Sequence, residues 1–352
     1  MIDDTGHYRQ VIDKMYRFGE KKGMEYTFFT NYKNSFKHIS PQFISIFAGK
    51  YRRETIRQSR LKNARDMFLF PLGILQSIRY ILMKDIDIVF CKWWYVSLPV
   101  VIAAWICRRQ IYVHDSDTTP GLTTKFASRF SSQNFSWFPD TLPDSIVVGQ
   151  ILSDALVHIP AELPFSIPDD KLVVLVAGWS LGAKKLYEGV LQAIQGDEKF
   201  LQDYVFVFVN GQNTIDKKLI PTQADHIIIT GLITEQALMG WLYARADGGV
   251  VRGGTTTLAE CKLFDLPLVI VPLPVTHDQV KNTQYYVEHY GDTYISQNDE
   301  NFIHLLYKSL VSVKPKNITT TIPKIKNKIK KAKITILDRM LGQNLALKQK
   351  IS

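Results

Sequence analysis

The sequence has few cysteines and no long apolar run, and both absences narrow what the protein can be. Cys91, Cys107 and Cys261 are too few and too widely spaced for a disulfide framework or a zinc site. The best apolar run, Val96 to Cys107, is shorter than the roughly 20 residues that a helix needs to cross a bilayer, so we expect a buried helix and no membrane span. No secretory signal opens the chain, and we expect a reducing, cytoplasmic environment.

Basic residues are in excess only near the end of the chain. The net charge is +10, and residues 308–352 hold twelve Lys or Arg against one acid, so this segment carries +11 and the remainder −1. Such an excess suits anionic lipid headgroups or nucleic acid, although a solvated charged face has the same composition. Because no aromatic residues are interleaved with the lysines, nucleic acid is the least favoured partner.

The length of 352 residues predicts two domains, because single cores stop growing at roughly 250 to 300 residues. We expect an N-terminal domain over 1–160, a C-terminal domain over 161–312 and a basic tail over 313–352. The proline-bearing segment HIPAELPFSIPDDK lies near the first boundary. The tail is predicted to hold an amphipathic helix, whose apolar face comprises Ile325, Ile329, Ala332, Ile336 and Met340.

Continuous apolar runs such as LVVLVAG and YVFVFVN are typical of parallel strands covered on both faces. Their alternation with helix-period segments predicts an α/β fold with doubly wound sheets. The predicted strands are Glu25–Thr30, Ile86–Cys91, Gln110–His114, Ser145–Gly149, Leu172–Gly178, Tyr204–Asn210, His226–Thr230, Gly249–Arg252, Leu268–Pro272 and Thr293–Ser296. The segment DDTGH begins at Asp3 with no predicted strand before it, so either an opening strand is missing here or the fold manages without one.

The strongest chemical signal is GGVVRGGTTTLAE, which predicts a strand, a glycine turn and a helix start. The amides of a helix N-terminus bind phosphate well, and Arg252 at the strand end suits a diphosphate. Glu260, inside the helix, suits the two hydroxyls of a ribose. The alternatives are an ordinary glycine turn with a threonine N-cap and an exposed glutamate stabilised by the helix dipole.

Weaker signals follow other predicted strands. GWSLGAKK is a second small-residue turn that favours phosphate. HDSDTTPGLTTKF is polar, but its spacing is poor for a metal, so it contacts substrate or caps a helix. THDQVKN suits sugar hydroxyls, or is a polar helix start.

A basic segment, KYRRETIRQSRLKNAR, is followed after Asp66 by the apolar MFLFPLGILQSIRYILM. This combination suits peripheral attachment to a membrane. The alternative is that the apolar part packs in the core.

Taken in order over about residues 4–310, these segments resemble the MurG family of peptidoglycan N-acetylglucosaminyltransferases. GWSLGA is similar to that family's GGSxGA turn, RGGTTTLAE to its R-x-G-x-x-T-x-x-E donor signature, and VPLPVTHDQVKN to its VP-x-P…Q-x-x-N stretch. In the first half, HDSDTTPGLTTKF resembles HEQN-x-x-PGLTN, YVSLP resembles YVSGP and VVGQ resembles VVGNP.

The resemblance implies a GT-B fold: two doubly wound Rossmann-like domains facing a cleft, with a C-terminal helix returning to the first domain. It implies an inverting transfer of GlcNAc from UDP-GlcNAc to undecaprenyl-diphospho-muramoyl-pentapeptide (lipid I), giving lipid II for the peptidoglycan of the cell wall. The expected partners are UDP-GlcNAc, a polyprenyl-diphosphate lipid and an anionic membrane, at the cytoplasmic face of the bacterial inner membrane, and not nucleic acid. No cofactor or metal is expected, since the UDP-sugar is a substrate.

The resemblance also assigns roles to matching residues. The donor-binding residues it implies are Ser180, Gly182, Ile233, Arg252, Gly254, Thr255, Thr256, Thr257, Glu260 and Gln279. The acceptor-binding residues it implies are Gly6, His7, Tyr95 and His114, and the catalytic residues are His7, as candidate base, and Asp117.

The chain departs from the family pattern mainly in its first half. Trp93 and Trp94 replace a Gly-Gly pair, and Asp115-Ser116-Asp117 stands where Glu-Gln-Asn is usual. The departures in the acceptor loop keep open a related glycosyltransferase that makes a glycolipid such as glucosyl diacylglycerol. A UDP-sugar epimerase can share the two-domain architecture, and the missing opening strand leaves a non-catalytic homologue as a third alternative.

Overall fold

The computed structural model of the protein divides into two compact units. It describes residues 16–19, 42–48, 57–92, 97–178, 183–195, 197–211, 215–221, 226–274, 277–317 and 320–351. The first unit is drawn from Met1–Ser153 and Ile329–Ser352, and the second is Asp154–Lys328.

A four-stranded parallel sheet forms the centre of the first unit, with its strands side by side in chain order. The strands are β3 (Ile88–Lys92), β4 (Gln110–Asp115), β5 (Gln133–Ser136) and β6 (Ser145–Val147), and a separate parallel pair is formed by β1 (Tyr16–Gly19) and β2 (Gln42–Ser45). The helices are α1 (Arg57–Met83), α2 (Ser97–Ile106) and α3 (Leu122–Ala127). Apolar side chains from the sheet and from α2 bury one another in a common core, among them Val89, Val101, Ile111 and Val113.

A six-stranded parallel sheet forms the centre of the second unit, in the order β12-β11-β10-β7-β8-β9. Its strands are β7 (Leu172–Ala177), β8 (Tyr204–Val209), β9 (Ile227–Thr230), β10 (Gly248–Val251), β11 (Leu268–Ile270) and β12 (Thr293–Tyr294). Its helices are α4 (Lys184–Ile194), α5 (Glu198–Asp203), α6 (Gln236–Arg245), α7 (Thr255–Leu263), α8 (His277–Tyr290) and α9 (Phe302–Val311). Every side chain of β8 is buried, as expected for a strand covered on both faces.

The strand order of the second sheet is that of a doubly wound domain. The chain builds β7, β8 and β9 toward one edge, then returns to place β10, β11 and β12 on the other side of β7. The direction of winding therefore reverses between β7 and β10. In open α/β sheets, ligands bind beyond the carboxyl ends of the strands at such a reversal.

The predicted α/β class with parallel sheets is confirmed, and the predicted strands recur within about two residues wherever they are described. The predicted strand Glu25–Thr30 lies outside the described residues. Three strands were not predicted, β1, β2 and β5, and the sequence of β5, QNFS, has too few apolar residues to show the pattern of a buried strand. The strand β1, at Tyr16–Gly19, lies before the first predicted strand and after the segment DDTGH.

The last helix, α10 (Ile322–Ile351), begins after a segment that is tied to the second unit. The main-chain N–H of Lys316 donates to Asp247 Oδ1 at 3.0 Å, and that of Thr320 donates to Asp265 Oδ2 at 2.7 Å. The predicted apolar face of the helix is confirmed, with its first four members buried and Met340 half-buried. Within the first unit, Ile336 packs into the same cluster as Tyr112.

Two helices, α2 and α1, test the predictions made for the apolar runs. The run near Val96–Cys107 forms α2, which buries Pro99, Val100, Val101, Ala103 and Ala104, so the prediction of a buried helix is confirmed. The expectation of no membrane-length segment is wrong, because Asn63–Met83 in α1 passes by length and composition, and 22% of its apolar 18-residue window is buried. A core helix of a soluble protein passes the same test, so this finding alone does not place α1 in a bilayer.

Candidate functional site

Two segments that begin with glycine turns in the sequence start at the winding reversal of the second unit, directly after β7 and β10. Strands β7 and β10 are hydrogen-bonded neighbours, with Ala177 opposite Val251, so the turns that follow them start at the same edge of the sheet. A Cβ on Gly178 would lie 2.3 Å from the Cβ of Ala183, so only glycine fits this start of the turn. Ser180 and Gly182 lie outside the described residues, and their predicted phosphate contacts stay predictions.

The turn after β10 contains two glycines with different surroundings. A Cβ on Gly253 would lie 2.6 Å from the main-chain oxygen of Gln279 and 2.7 Å from Thr283 Oγ1, so this glycine lets α8 pack against the turn. A Cβ on Gly254 would meet no atom of the described residues within 4 Å. The open space beside Gly254 is what close approach of a ligand to the backbone requires.

Helix α7 begins directly after this open position. Its N-cap is Gly254, which has no side chain and makes no side-chain cap bond, so the alternative of a threonine N-cap is wrong. The helix opens with Thr255, Thr256 and Thr257, of which Thr255 is buried and the other two are half-buried. A helix start of this kind presents main-chain N–H groups and a partial positive charge to an anion.

Arg252, between β10 and the turn, is 4% exposed. Its Nη1 donates to the main-chain oxygen of Val271 at 3.0 Å and to Gln297 Oε1 at 2.8 Å, so the guanidinium joins the ends of β10 and β11 to the segment after β12. Burial lowers the pKa of Arg252 to about 10, which leaves it protonated at neutral pH. Its contact with a diphosphate stays a prediction, and the structure adds this second, architectural role.

Glu260 lies one turn into α7 and is 8% exposed, so the alternative of an exposed helix glutamate is wrong. Tyr243 Oη, from α6, donates to Glu260 Oε2 at 2.9 Å. A buried carboxylate held beside a phosphate-type helix start is well placed to accept ribose hydroxyls. The pairing with Tyr243 was missed, because no sequence pattern shows which buried tyrosine contacts which glutamate.

Gln279 and Ile233 lie at the same edge of the sheet. The half-buried Gln279 accepts the main-chain N–H of Leu273 on its Oε1 at 3.0 Å. A sugar hydroxyl that approaches Gln279 therefore meets its amide NH₂, which is a hydrogen-bond donor. Ile233 follows β9 and is half-buried. The roles predicted for both residues stay predictions.

The polar motif of the first unit lies at the end of β4, and most of it is buried. His114 is fully buried with its Nε2 3.1 Å from the main-chain oxygen of Gly149, so the proton is on Nε2. Burial, assisted by the nearby charge of Lys92, lowers the pKa of His114 to about 3 and keeps the ring neutral. This imidazole joins β4 to the segment after β6, and its predicted contact with the acceptor stays a prediction.

Asp115 was not among the predicted site residues, yet it is fully buried beside His114. Burial raises the pKa of Asp115 to about 6. Its Oδ1 accepts the main-chain N–H of Asp117 at 2.9 Å, so Asp115 fixes the backbone that carries the half-buried Asp117. Among the described residues, no group of three His, Cys, Asp or Glu side chains could hold a metal ion. His7, Gly6 and Tyr95 lie outside the described residues.

Helix α1 carries an exposed apolar face in addition to a buried one. Ile74, Ile78 and Ile81 pack in the core, as the alternative interpretation required for part of the helix. The exposed large apolar side chains of α1 are Met67, Phe68, Leu72, Leu75, Leu82 and Met83. Their spacing puts them on one side of a helix with 3.6 residues per turn. Continuous apolar surfaces are typical of contact sites for proteins or membranes, and the predicted membrane contact stays a prediction.

Comparisons with known proteins agree with this geometry. Residues 10–136 match the glycosyltransferase family 28 N-terminal domain, and residues 173–339 match the family 28 C-terminal domain. A protein of Staphylococcus carnosus named UDP-N-acetylglucosamine–N-acetylmuramyl-(pentapeptide) pyrophosphoryl-undecaprenol N-acetylglucosamine transferase is 29% identical over 281 residues, which cover 76% of this chain and 74% of that protein. A Bacillus cereus protein of the same name, numbered 2, is 29% identical over 77% of this chain and 74% of its own length.

Solved structures show the same fold at lower identity. MurG of Acinetobacter baumannii has a TM-score of 0.64 at 21% identity and covers 96% of this chain and 93% of its own. UDP-GlcNAc 2-epimerase of Neisseria meningitidis has a TM-score of 0.56 at 14% identity and covers 92% and 99%. Because both identities are low, these likenesses establish the fold and do not discriminate between the two chemistries.

Proposed function

The chain belongs to glycosyltransferase family 28, and on that premise we propose that it transfers GlcNAc from UDP-GlcNAc to lipid I, giving lipid II for peptidoglycan. The observation that carries the proposal is the open helix start at Gly254, beside the buried Glu260, at the winding reversal of the second unit. The acceptor in this proposal is taken from the names of the relatives of the chain, which specify a pyrophosphoryl-undecaprenol carrying N-acetylmuramyl-pentapeptide.

The second unit binds the donor in this proposal. The diphosphate lies at the start of α7, and Glu260 accepts the hydroxyls of the ribose. Gln279 donates its amide to the GlcNAc, because its oxygen is already bonded to Leu273. Ile233 lies beside the uracil, and Ser180 and Gly182 complete the phosphate contacts. UDP-GlcNAc is a substrate, and the proposal includes no cofactor.

The reaction is a single displacement with inversion. A hydroxyl of the acceptor sugar attacks the anomeric carbon of GlcNAc as the bond to the UDP oxygen breaks, and the acceptor proton passes to a base. Negative charge grows on the departing diphosphate, where the helix start stabilises it in the transition state. His7 is the base in this proposal, and Asp117, whose backbone Asp115 fixes, orients the acceptor.

The exposed apolar face of α1 supports a peripheral position on the cytoplasmic face of the bacterial inner membrane. Its apolar side chains enter the headgroup region, and basic residues such as Arg79 and Lys84 meet anionic lipid. The exposed lysines of α10 add to the attraction, and they are Lys324, Lys326, Lys328, Lys330 and Lys331. An interfacial helix of this kind places the enzyme beside a lipid-linked acceptor.

Release of UDP with matched panels of donors and acceptors tests the proposed function. We expect release from UDP-GlcNAc only when lipid I is present, together with formation of a disaccharide lipid. Transfer from UDP-glucose to diacylglycerol would identify the glycolipid alternative instead. Conversion of UDP-GlcNAc to an epimer without any acceptor would identify an epimerase, and no turnover with any pair would indicate a non-catalytic homologue.

A further inference from the structure

A buried tyrosine contacts the carboxylate of Glu260, which binds the ribose in the proposed function. Tyr243 lies on α6 and is 2% exposed, and its Oη donates to Glu260 Oε2 at 2.9 Å. The two residues belong to different helices, so the bond fixes the Glu260 side chain of α7 relative to α6. We propose that Tyr243 is a positioning residue that holds the Glu260 carboxylate in the orientation that accepts the ribose hydroxyls, an inference that rests on the proposed function.

The direction of the hydrogen bond supports this role. Burial and the charge of Glu260 raise the pKa of Tyr243 well above its usual value, so the phenol keeps its proton and remains the donor at any physiological pH. A carboxylate accepts about four hydrogen bonds, so a bond from Tyr243 that fixes the plane of the group is compatible with bonds from ribose hydroxyls. A fixed plane lowers the entropy that Glu260 loses when it binds a ribose.

Tyr243 is itself held firmly in place. Its ring packs against Phe264, with centroids 5.9 Å apart. Lys316 Nζ donates to the main-chain oxygens of Tyr243 and Ala244, both at 2.8 Å. The main chain of Lys316 is in turn held by Asp247. A continuous set of contacts therefore runs from the segment before α10, through the end of α6, to the carboxylate in α7.

The test compares two nucleotides and two tyrosines. Tyr243→Phe removes the hydroxyl and keeps the ring, whose packing against Phe264 should preserve the fold. The control is Tyr204→Phe, since Tyr204 is also a buried tyrosine of the second unit, and its Oη donates to the main-chain oxygen of Val313 at 3.1 Å. The probes are UDP and 2′-deoxy-UDP, which lacks one ribose hydroxyl, titrated calorimetrically at a temperature at which circular dichroism shows both variants folded.

We expect the wild-type protein to prefer UDP over 2′-deoxy-UDP. In Tyr243→Phe, the Kd for UDP should rise on the order of tenfold, as for loss of a hydrogen bond to a charged group. The Kd for 2′-deoxy-UDP should rise less, so the preference shrinks. With UDP-GlcNAc as donor, KM should rise while kcat changes little, because the bond is made equally in ground and transition states. Tyr204→Phe should leave both affinities within about twofold of wild type.

The other possible outcomes would contradict either the role of Tyr243, the ribose contact of Glu260 or the proposed function. Equal weakening of both nucleotides in Tyr243→Phe would mean that the hydroxyl serves only the fold, and unchanged affinities would mean that it positions nothing; either result overturns the inference. Equal binding of the two nucleotides by the wild type would show that Glu260 does not bind the 2′-hydroxyl of the ribose. That result would overturn the inference but not the proposed transferase function. Absence of any UDP binding by the wild type would overturn the proposed function and this inference with it.

Discussion

The two units use the ends of their parallel strands in different ways. In the second unit, the residues after β10 surround an open backbone position at Gly254, and the nearby side chains Arg252 and Glu260 are fixed by partners within the unit. In the first unit, buried side chains occupy the end of β4. His114 and Asp115 are fully buried, and both make hydrogen bonds to main-chain groups. The exposed feature of the first unit is instead the apolar face of α1.

This difference separates two kinds of recognition. A diphosphate can be bound by main-chain N–H groups, which every sequence supplies once the glycine turn and the helix start are in place. A lipid-linked acceptor offers an apolar chain and a sugar, which side chains and surfaces must recognise. Motif residues of the second unit therefore predict their ligand more directly than those of the first. The following experiments test this difference between the two units.

The largest effect is expected for Arg252→Ala. If Arg252 stabilises the departing diphosphate, turnover should fall about 100- to 1000-fold. Because its guanidinium also donates to Val271 and Gln297, the free energy of unfolding should fall by about 1–3 kcal/mol. UDP release and urea unfolding measure the two effects.

Gln297→Leu is the control for Arg252, since it removes one partner and keeps the charge. We expect a loss of about 1 kcal/mol in stability and less than a tenfold change in turnover. If Gln297→Leu and Arg252→Ala reduce turnover alike, Arg252 acts only through the architecture, and its diphosphate contact is wrong.

Gly254→Val should separate binding from folding. The backbone at Gly254 has φ −79° and ψ 125°, a region that valine adopts readily, and no atom of the described residues lies within 4 Å of its Cβ. Because valine is a poorer N-cap than glycine, we expect the free energy of unfolding to fall by about 1 kcal/mol or less, and binding of UDP to weaken on the order of ten- to a hundredfold. Calorimetric titration and thermal unfolding check both expectations.

Gly253→Ala is the matched change one residue earlier. Its Cβ would lie 2.6 Å from the main-chain oxygen of Gln279, so we expect the free energy of unfolding to fall by about 1–3 kcal/mol. If Gly254→Val bound UDP as the wild type does, the open space would not be a ligand site and the contrast between the units would fail.

The apolar face of α1 is tested by Phe68→Glu combined with Leu75→Glu, at positions 72% and 62% exposed. We expect binding to anionic vesicles to weaken on the order of tenfold or more, because each side chain would otherwise bury apolar surface in lipid. Ile159→Glu, at a position 93% exposed in the second unit, should leave binding unchanged. Equal vesicle flotation of the double variant and the wild type would show that α1 does not meet the membrane.

The last prediction concerns stability against pH and the buried side chains at the end of β4 in the first unit. The folded-state pKa of His114 is about 3, below its usual value, so the unfolded protein binds more protons between about pH 3 and 6.5. This contribution makes stability rise with pH in that window, by at most about 1.4 kcal/mol for each pH unit. His114→Gln, which can still donate to Gly149, should flatten the rise when unfolding is measured from pH 4 to 7. An equally steep rise in the variant would assign the dependence to other groups.

The sequence predicted the second unit better than the first for a physical reason. Continuous apolar strands and glycine turns are local patterns, so the sheet, the turn at Gly253–Gly254 and the start of α7 could all be predicted. The strand β5 could not, since QNFS is buried through its neighbours and not through its composition. Nor could burial of Glu260, the bond from Tyr243 or the burial of His114, because each depends on residues far apart in the chain.

The central claim is that the open helix start of the second unit binds the diphosphate of a nucleotide. Calorimetric titration of the wild-type protein with UDP, UMP and uridine measures this directly. The account predicts that UDP binds at least tenfold more tightly than UMP and that uridine binds weakest, with the difference between UDP and UMP lost in Gly254→Val. Equal affinities for UDP and UMP, or no binding of UDP, would contradict it.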